Sequence, residues 1–139
     1  MSHSCVLLAD GHAGMLEAVR RLLEKRFATT VMVADETSLL ETVPRLNPDL
    51  VVVDLSLPVS GSVNVVRNLF SRYPGLRVIV LSVHDEHPAV SQALGAGAAG
   101  FVLKRTAAVD LIAAVDAVFR GEIYVSPVLG WRPKVEGDK

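Results

Sequence analysis

Short apolar runs alternate along this chain with stretches whose apolar residues recur at the spacing of helical turns. Cys5-Val6-Leu7-Leu8-Ala9 is a continuous apolar run that stops at Asp10 and predicts a first strand. Leu16, Val19, Leu23 and Phe27 then fall at helical spacing, with Glu17, Arg20, Arg21 and Glu24 on the other side. Thr30 to Ala34 predicts a second strand, and Leu39, Leu40, Val43 and Leu46 a second helix over Glu36–Leu46, kinked or shortened by Pro44. Asn47-Pro48-Asp49 signals a turn. Leu50-Val51-Val52-Val53 follows, ending in Asp54, and its unbroken hydrophobicity predicts a strand buried on both faces.

The second half repeats the pattern. Leu57 to Gly61 reads as a loop, Val63, Val66, Leu69, Phe70 and Tyr73 as a helical stripe, and Pro74-Gly75 as its stop. Arg77 to Ser82 predicts a fourth strand, Ala89 to Gly97 a helix of small residues, and Gly100 to Lys104 a fifth strand. Leu111, Ile112, Val115, Val118 and Phe119 mark a last helix, with Thr106 as N-cap and Gly121 as C-cap. Five successive β-α units require a parallel sheet with right-handed crossovers and helices on both faces. The expected domain spans residues 1–123, and residues 124–139, with Pro127, Gly130, Pro133 and Gly137, read as a tail or linker to an absent output domain.

Composition narrows the classes. The chain has 139 residues, enough for one domain, and is 50% hydrophobic but only 5% aromatic, so Val, Leu, Ile and Ala must build the core. A net charge of -1 gives no general attraction for nucleic acid or anionic membrane. Cys5, the sole cysteine, sits in an apolar run and reads as a small buried hydrophobe. Neither a signal peptide nor a membrane span is evident at the start, and a cytoplasmic protein is expected.

Candidate chemistry gathers at one place. In doubly wound sheets ligands bind beyond the carboxyl ends of the strands, and Asp10, Asp54, Ser82 and Lys104 stand at four such ends. Each residue alone reads as a turn former, loop hydroxyl or solvated lysine; the shared placement is what points to a site. Two neighbouring carboxylates call for a cation, and an oxygen donor set suits Mg²⁺. A carboxylate nucleophile beside a hydroxyl and an ammonium suits phosphoryl transfer.

At these residues the chain resembles the receiver domains of two-component response regulators, and most of all the subgroup that precedes a LuxR-type helix-turn-helix (NarL/FixJ-like). The resemblance rests on Val6 to His12, Pro48 to Pro58, Val78 to His84, Gly95 to Lys104 and Gly121 to Pro127. It implies a flavodoxin-like, doubly wound, five-stranded parallel sheet of order 2-1-3-4-5. It implies Asp54 as phosphoacceptor, Ser82 as switch hydroxyl and Lys104 as phosphoryl-binding lysine. Asp10, Asp54 and the backbone carbonyl of Ser56 would hold Mg²⁺. Phe101 would be the aromatic that moves with Ser82, against a plain reading as core, and Ser56 and His84 would tune dephosphorylation. His12 and His84 read as rim residues, not metal ligands.

The resemblance further implies a sensor histidine kinase as partner, a possible homodimer, and DNA contact only through an output domain absent from this chain. The protein would not be an enzyme, beyond catalysing its own phosphorylation and dephosphorylation. One position departs from the family's pattern. Gly11 stands where a second acid usually follows Asp10, so Mg²⁺ binding should be weakened unless Asp10, Asp85 or Glu86 covers the site. That departure gives the alternative of a pseudo-receiver, a binding or dimerisation module that works without phosphorylation. Other doubly wound classes fit less well. A haloacid-dehalogenase-type phosphatase needs Asp-x-Asp where this chain has Asp54-Leu55-Ser56, and Asp10-Gly11-His12-Ala13-Gly14 is too acidic for a flavin phosphate loop.

Overall fold

The structure, a computed structural model, describes residues 3–10, 13–54, 63–83 and 87–131. Strands and helices alternate: β1 His3–Ala9, α1 Ala13–Leu23, β2 Phe27–Val33, α2 Glu36–Leu46, β3 Leu50–Asp54, α3 Val63–Arg72, β4 Val78–Ser82, α4 His87–Gly95, β5 Gly100–Leu103, α5 Ala107–Phe119 and β6 Tyr124–Val125. Among the described residues the sheet is fully parallel and ordered β2-β1-β3-β4-β5-β6. The expected 2-1-3-4-5 core is present, but the sheet has six strands, not five. Tyr124 and Val125 add the sixth by pairing with Gly100 and Phe101.

Side-chain alternation along the strands divides the core in two. Leu7, Ala9, Val51, Val53, Val78, Val80, Phe101 and Leu103 face Leu39, Val43, Val66, Leu69 and Val90 of α2, α3 and α4. Val6, Leu8, Leu50, Val52, Ile79, Leu81 and Val102 face Val19 and Leu23 of α1 and Leu111, Val115 and Val118 of α5. The central strands β3, β4 and β5 are buried along their whole length, which is why they read as unbroken apolar runs.

Several boundaries differ from the sequence expectation. Phe27 continues the helical spacing of α1 but opens β2, because Lys25 and Arg26 turn back onto Leu22 and Leu23 and end the helix. Pro44 neither shortens α2 nor stops it; it sits in the last turn, and Asn47 closes the helix in the left-handed region at φ 49°. At the other end Asp35 caps α2, accepting the Ser38 N–H at 2.7 Å, a bond that holds its carboxyl below the usual range. Lys104 lies just past β5 in a 3-10 turn, Lys104–Thr106. Thr106 occupies the N-cap position of α5 without a side-chain cap bond. Gly97, between α4 and β5, adopts φ +117°, and a Cβ there would lie 2.4 Å from the Phe70 ring, so no other residue fits without strain.

Candidate functional site

Parallel register carries four polar side chains to one edge of the sheet. Ala9 pairs with Val53, so Asp10 and Asp54 emerge side by side from β1 and β3. Asp54 pairs with Leu81, which places Ser82 on the next strand, and Ser82 pairs with Leu103, the residue before Lys104. All four are buried: Asp10 is 2% exposed, Asp54 1%, Ser82 1% and Lys104 7%.

Charge follows from this packing. The Lys104 ammonium forms an ion pair with Asp54 and lies 3.8 Å from Oδ1 of Asp10. Among the described residues, one buried cation serves two buried carboxylates. Carboxylates removed from water demand such pairing. Two carboxylates are a donor set of the kind that Mg²⁺ takes from a protein, so the residues present fit that ion. Among the described residues no cluster of three His, Cys, Asp or Glu side chains is placed to hold a metal.

Phe101 is fully buried on β5, among the side chains facing α2, α3 and α4, opposite Val80 and two residues below the Leu103 row. Gly11, His12, Ser56, His84, Asp85 and Glu86 lie outside the described residues. The structure thus brings together Asp10, Asp54, Ser82 and Lys104 as the strand ends foretold.

Other polar groups were not foreseen. Asp110 on α5 accepts the Thr106 hydroxyl at 2.5 Å and the Tyr124 hydroxyl at 3.1 Å. The buried Ser126 hydroxyl accepts the Leu103 N–H at 3.0 Å. On the opposite side of the sheet edge, Asn68 of α3 donates to Glu36 of α2 at 3.0 Å. Beyond β6, a 3-10 turn at Pro127–Leu129 packs against α4: the His87 ring lies 2.7 Å from the Leu129 carbonyl, and the Trp131 indole N–H donates to Ser91 at 3.3 Å.

Tyr124 carries a consequence for alkaline pH. Burial first, then the charge and hydrogen bond of Asp110, push its phenol up to about 12. A pKa raised on folding stabilises the protein fully below the unfolded phenol value of about 10. That contribution is lost as pH rises towards about 12. Ultraviolet titration should show a late tyrosinate step that Tyr124→Phe removes, together with its share of the alkaline loss of stability. A Tyr124 that titrates near pH ~10 in the folded protein would contradict the bond to Asp110.

A parallel sheet with helices on both faces and an acidic pair, a hydroxyl and an ammonium gathered at its carboxyl edge defines an α/β protein of the doubly wound class. The response regulator receiver domain matches residues 6–116, and the chain belongs to that family of two-component signalling regulators. It is 36% identical over 124 residues to the transcriptional regulatory protein DegU of Brevibacillus brevis, covering 88% of this chain and 52% of DegU. It is 31% identical over 125 residues to the response regulator UvrY of Escherichia coli, covering 87% of this chain and 56% of UvrY. The chain thus spans about half the length of the curated relatives it matches.

Solved structures agree. The isolated REC domain of RcsB from Salmonella enterica serovar Typhimurium, in the presence of phosphomimetic BeF3-, superposes with a TM-score of 0.82 at 26% identity, over 91% of this chain and 95% of that one. A LuxR-family two-component response regulator from Aurantimonas sp. SI85-9A1 gives 0.85 at 28% identity, over 91% of each. Among the described residues no helix is long and apolar enough to cross a membrane.

Proposed function

We propose that this chain accepts a phosphoryl group on Asp54 from a sensor histidine kinase and passes the resulting change to a transcriptional output. The supporting observation is the Lys104 ammonium on Asp54, at an edge that also holds Asp10 and Ser82. An Asp54 oxygen attacks phosphorus of the kinase's phosphohistidine. An O–P bond forms, the P–N bond breaks, and the electron pair leaves on the imidazole nitrogen, which takes up a proton from solvent. Lys104 and Ser82 donate to the phosphoryl oxygens, stabilising charge where it collects. Asp10 and Asp54, with the Ser56 carbonyl by resemblance, would hold Mg²⁺. When bound, that ion supplies further neutralisation of the phosphoryl oxygens. Gly11 leaves the metal with one acid fewer than the family's usual set, which sets a higher Mg²⁺ requirement.

The modification adds negative charge beside Ser82, Lys104 and the fully buried Phe101, and shifts whichever arrangement of β4, β5 and α4 contacts that charge better. Phe101 is the core side chain that would move with Ser82, and Ser56 and His84 would set the lifetime of the phosphoryl group. RcsB has been solved with DNA and as two dimers on two parallel DNAs. By that analogy the output here is homodimerisation and DNA contact through a following domain, in a cytoplasmic setting. Residues 124–139 would lead to that domain.

Incubation with a small acyl-phosphate donor and Mg²⁺ should add one phosphoryl group by intact mass, and Asp54→Asn should add none. Absence of any adduct at saturating Mg²⁺ would falsify the assignment.

A further inference from the structure

The proposed phosphoryl transfer leaves the polar groups around β6 without a task. Ser126 is 1% exposed and Asp110 5%, a costly place for groups that only decorate a tail. Their bonds bracket one residue. Immediately before Lys104, the Leu103 N–H donates to the Ser126 hydroxyl at 3.0 Å. Two residues after it, the Thr106 hydroxyl donates to Asp110 at 2.5 Å, and Tyr124 donates to the other oxygen of Asp110 at 3.1 Å.

Sheet geometry explains why a side chain is needed. The Tyr124 and Ser126 N–H groups donate to the carbonyls of Ala99 and Phe101, extending the ladder along β5. At Leu103 the outward N–H of β5 meets the Ser126 hydroxyl in place of a backbone carbonyl. The last rung of the sheet is therefore made by a side chain, directly below the lysine.

We propose that Tyr124 and Ser126 are positioning residues for Lys104: they fix the backbone on both sides of it, so that a long, flexible side chain reaches Asp54 and Asp10 from a rigid base. The idea rests on the reading of Lys104 as the phosphoryl-binding lysine only for its consequence in catalysis, and the geometric claim stands apart from it. An ammonium on four methylenes is placed accurately only when its backbone is held.

The test is the amine reactivity of Lys104 in the full chain, followed with acetic anhydride and peptide mass, with exposed Lys25 as internal standard. Lys104 should be protected in the wild type. Ser126→Ala should raise its labelling relative to Lys25 by about fivefold, the change in open population that one lost hydrogen bond gives. Tyr124→Phe should raise it less, and Ser126→Thr, which keeps a hydroxyl, should restore protection.

In parallel, the rate at which Asp54 takes phosphoryl from the acyl-phosphate donor should fall in Ser126→Ala and recover in Ser126→Thr. A purely structural role would lower the melting temperature and leave the Lys104 to Lys25 ratio unchanged. Should Ser126→Ala fail to fold, the ratio in Tyr124→Phe decides. Unchanged protection of Lys104 in the folded variants overturns the proposal. Altered protection in a protein whose Asp54 never accepts phosphoryl keeps the positioning role and removes the proposed function.

Discussion

Replacing Lys104 by methionine is expected to cost about 3–5 kcal/mol of folding free energy near neutral pH, the range for stranding buried charge. The reason is the ion pairing at the sheet edge. Asp10 and Asp54 are both almost wholly buried, and the Lys104 ammonium contacts both. Methionine keeps most of the side chain's volume and removes only the cation, so both buried carboxylates lose the ion pair that Lys104 gives them. A second change, Asp54→Asn, removes one of those charges and should return most of the loss. Urea unfolding of the two single variants and the double variant measures the coupling directly. Simple additivity of the two changes would show that the ion pair does not form in solution. Asp54→Asn alone should abolish phosphoryl uptake.

Ending the chain at Ile123 is the second change with a large expected effect. Such a truncation removes β6, the Ser126 hydroxyl below Lys104 and the Leu129 side chain, which is only 9% exposed against the core under α4. Burial of one leucine contributes about 2 kcal/mol, and the bond to Leu103 about 1 kcal/mol. Val125 and Trp131 add partial burial. A loss of about 3–4 kcal/mol is expected, a large part of the ~5–15 kcal/mol that holds a typical domain. Chains ending at residues 123, 131 and 139 should be compared by urea midpoint. Equal midpoints for 123 and 139 would place the end of the folded unit at residue 123, as its sequence suggests; a drop confined to 123 would place it between residues 124 and 131.

Most of the architecture was legible because this fold writes itself in apolar runs. β3, β4 and β5 are buried end to end, so their residues carry no alternation and stand out from the helical stripes between them. The placement of the four polar residues was legible for a related reason: a polar residue that ends such a run lies at the sheet's edge, as Asp10, Asp54, Ser82 and Lys104 do. Phe27 misled because a residue four positions after Leu23 satisfies helical spacing whether or not the helix continues, and the turn at Lys25 and Arg26 is set by backbone bonds that composition does not show. β6 was invisible because two residues cannot display a period, and its partner carbonyls belong to a strand twenty-odd residues earlier. Ser126 and Asp110 were hidden for the same reason. Their partners are fixed by tertiary placement, and a serine before proline reads as a turn.

Trp131 is the only tryptophan of the chain. Its indole N–H bonds to Ser91 of α4 while its ring packs against the core under that helix. The protein thereby carries its own optical gauge. Emission excited at the indole band arises from a single ring, seated where the C-terminal segment meets α4. A shift in its colour or quenching can follow attachment of that segment in real time, in unlabelled protein, while the opposite side of the sheet stays dark.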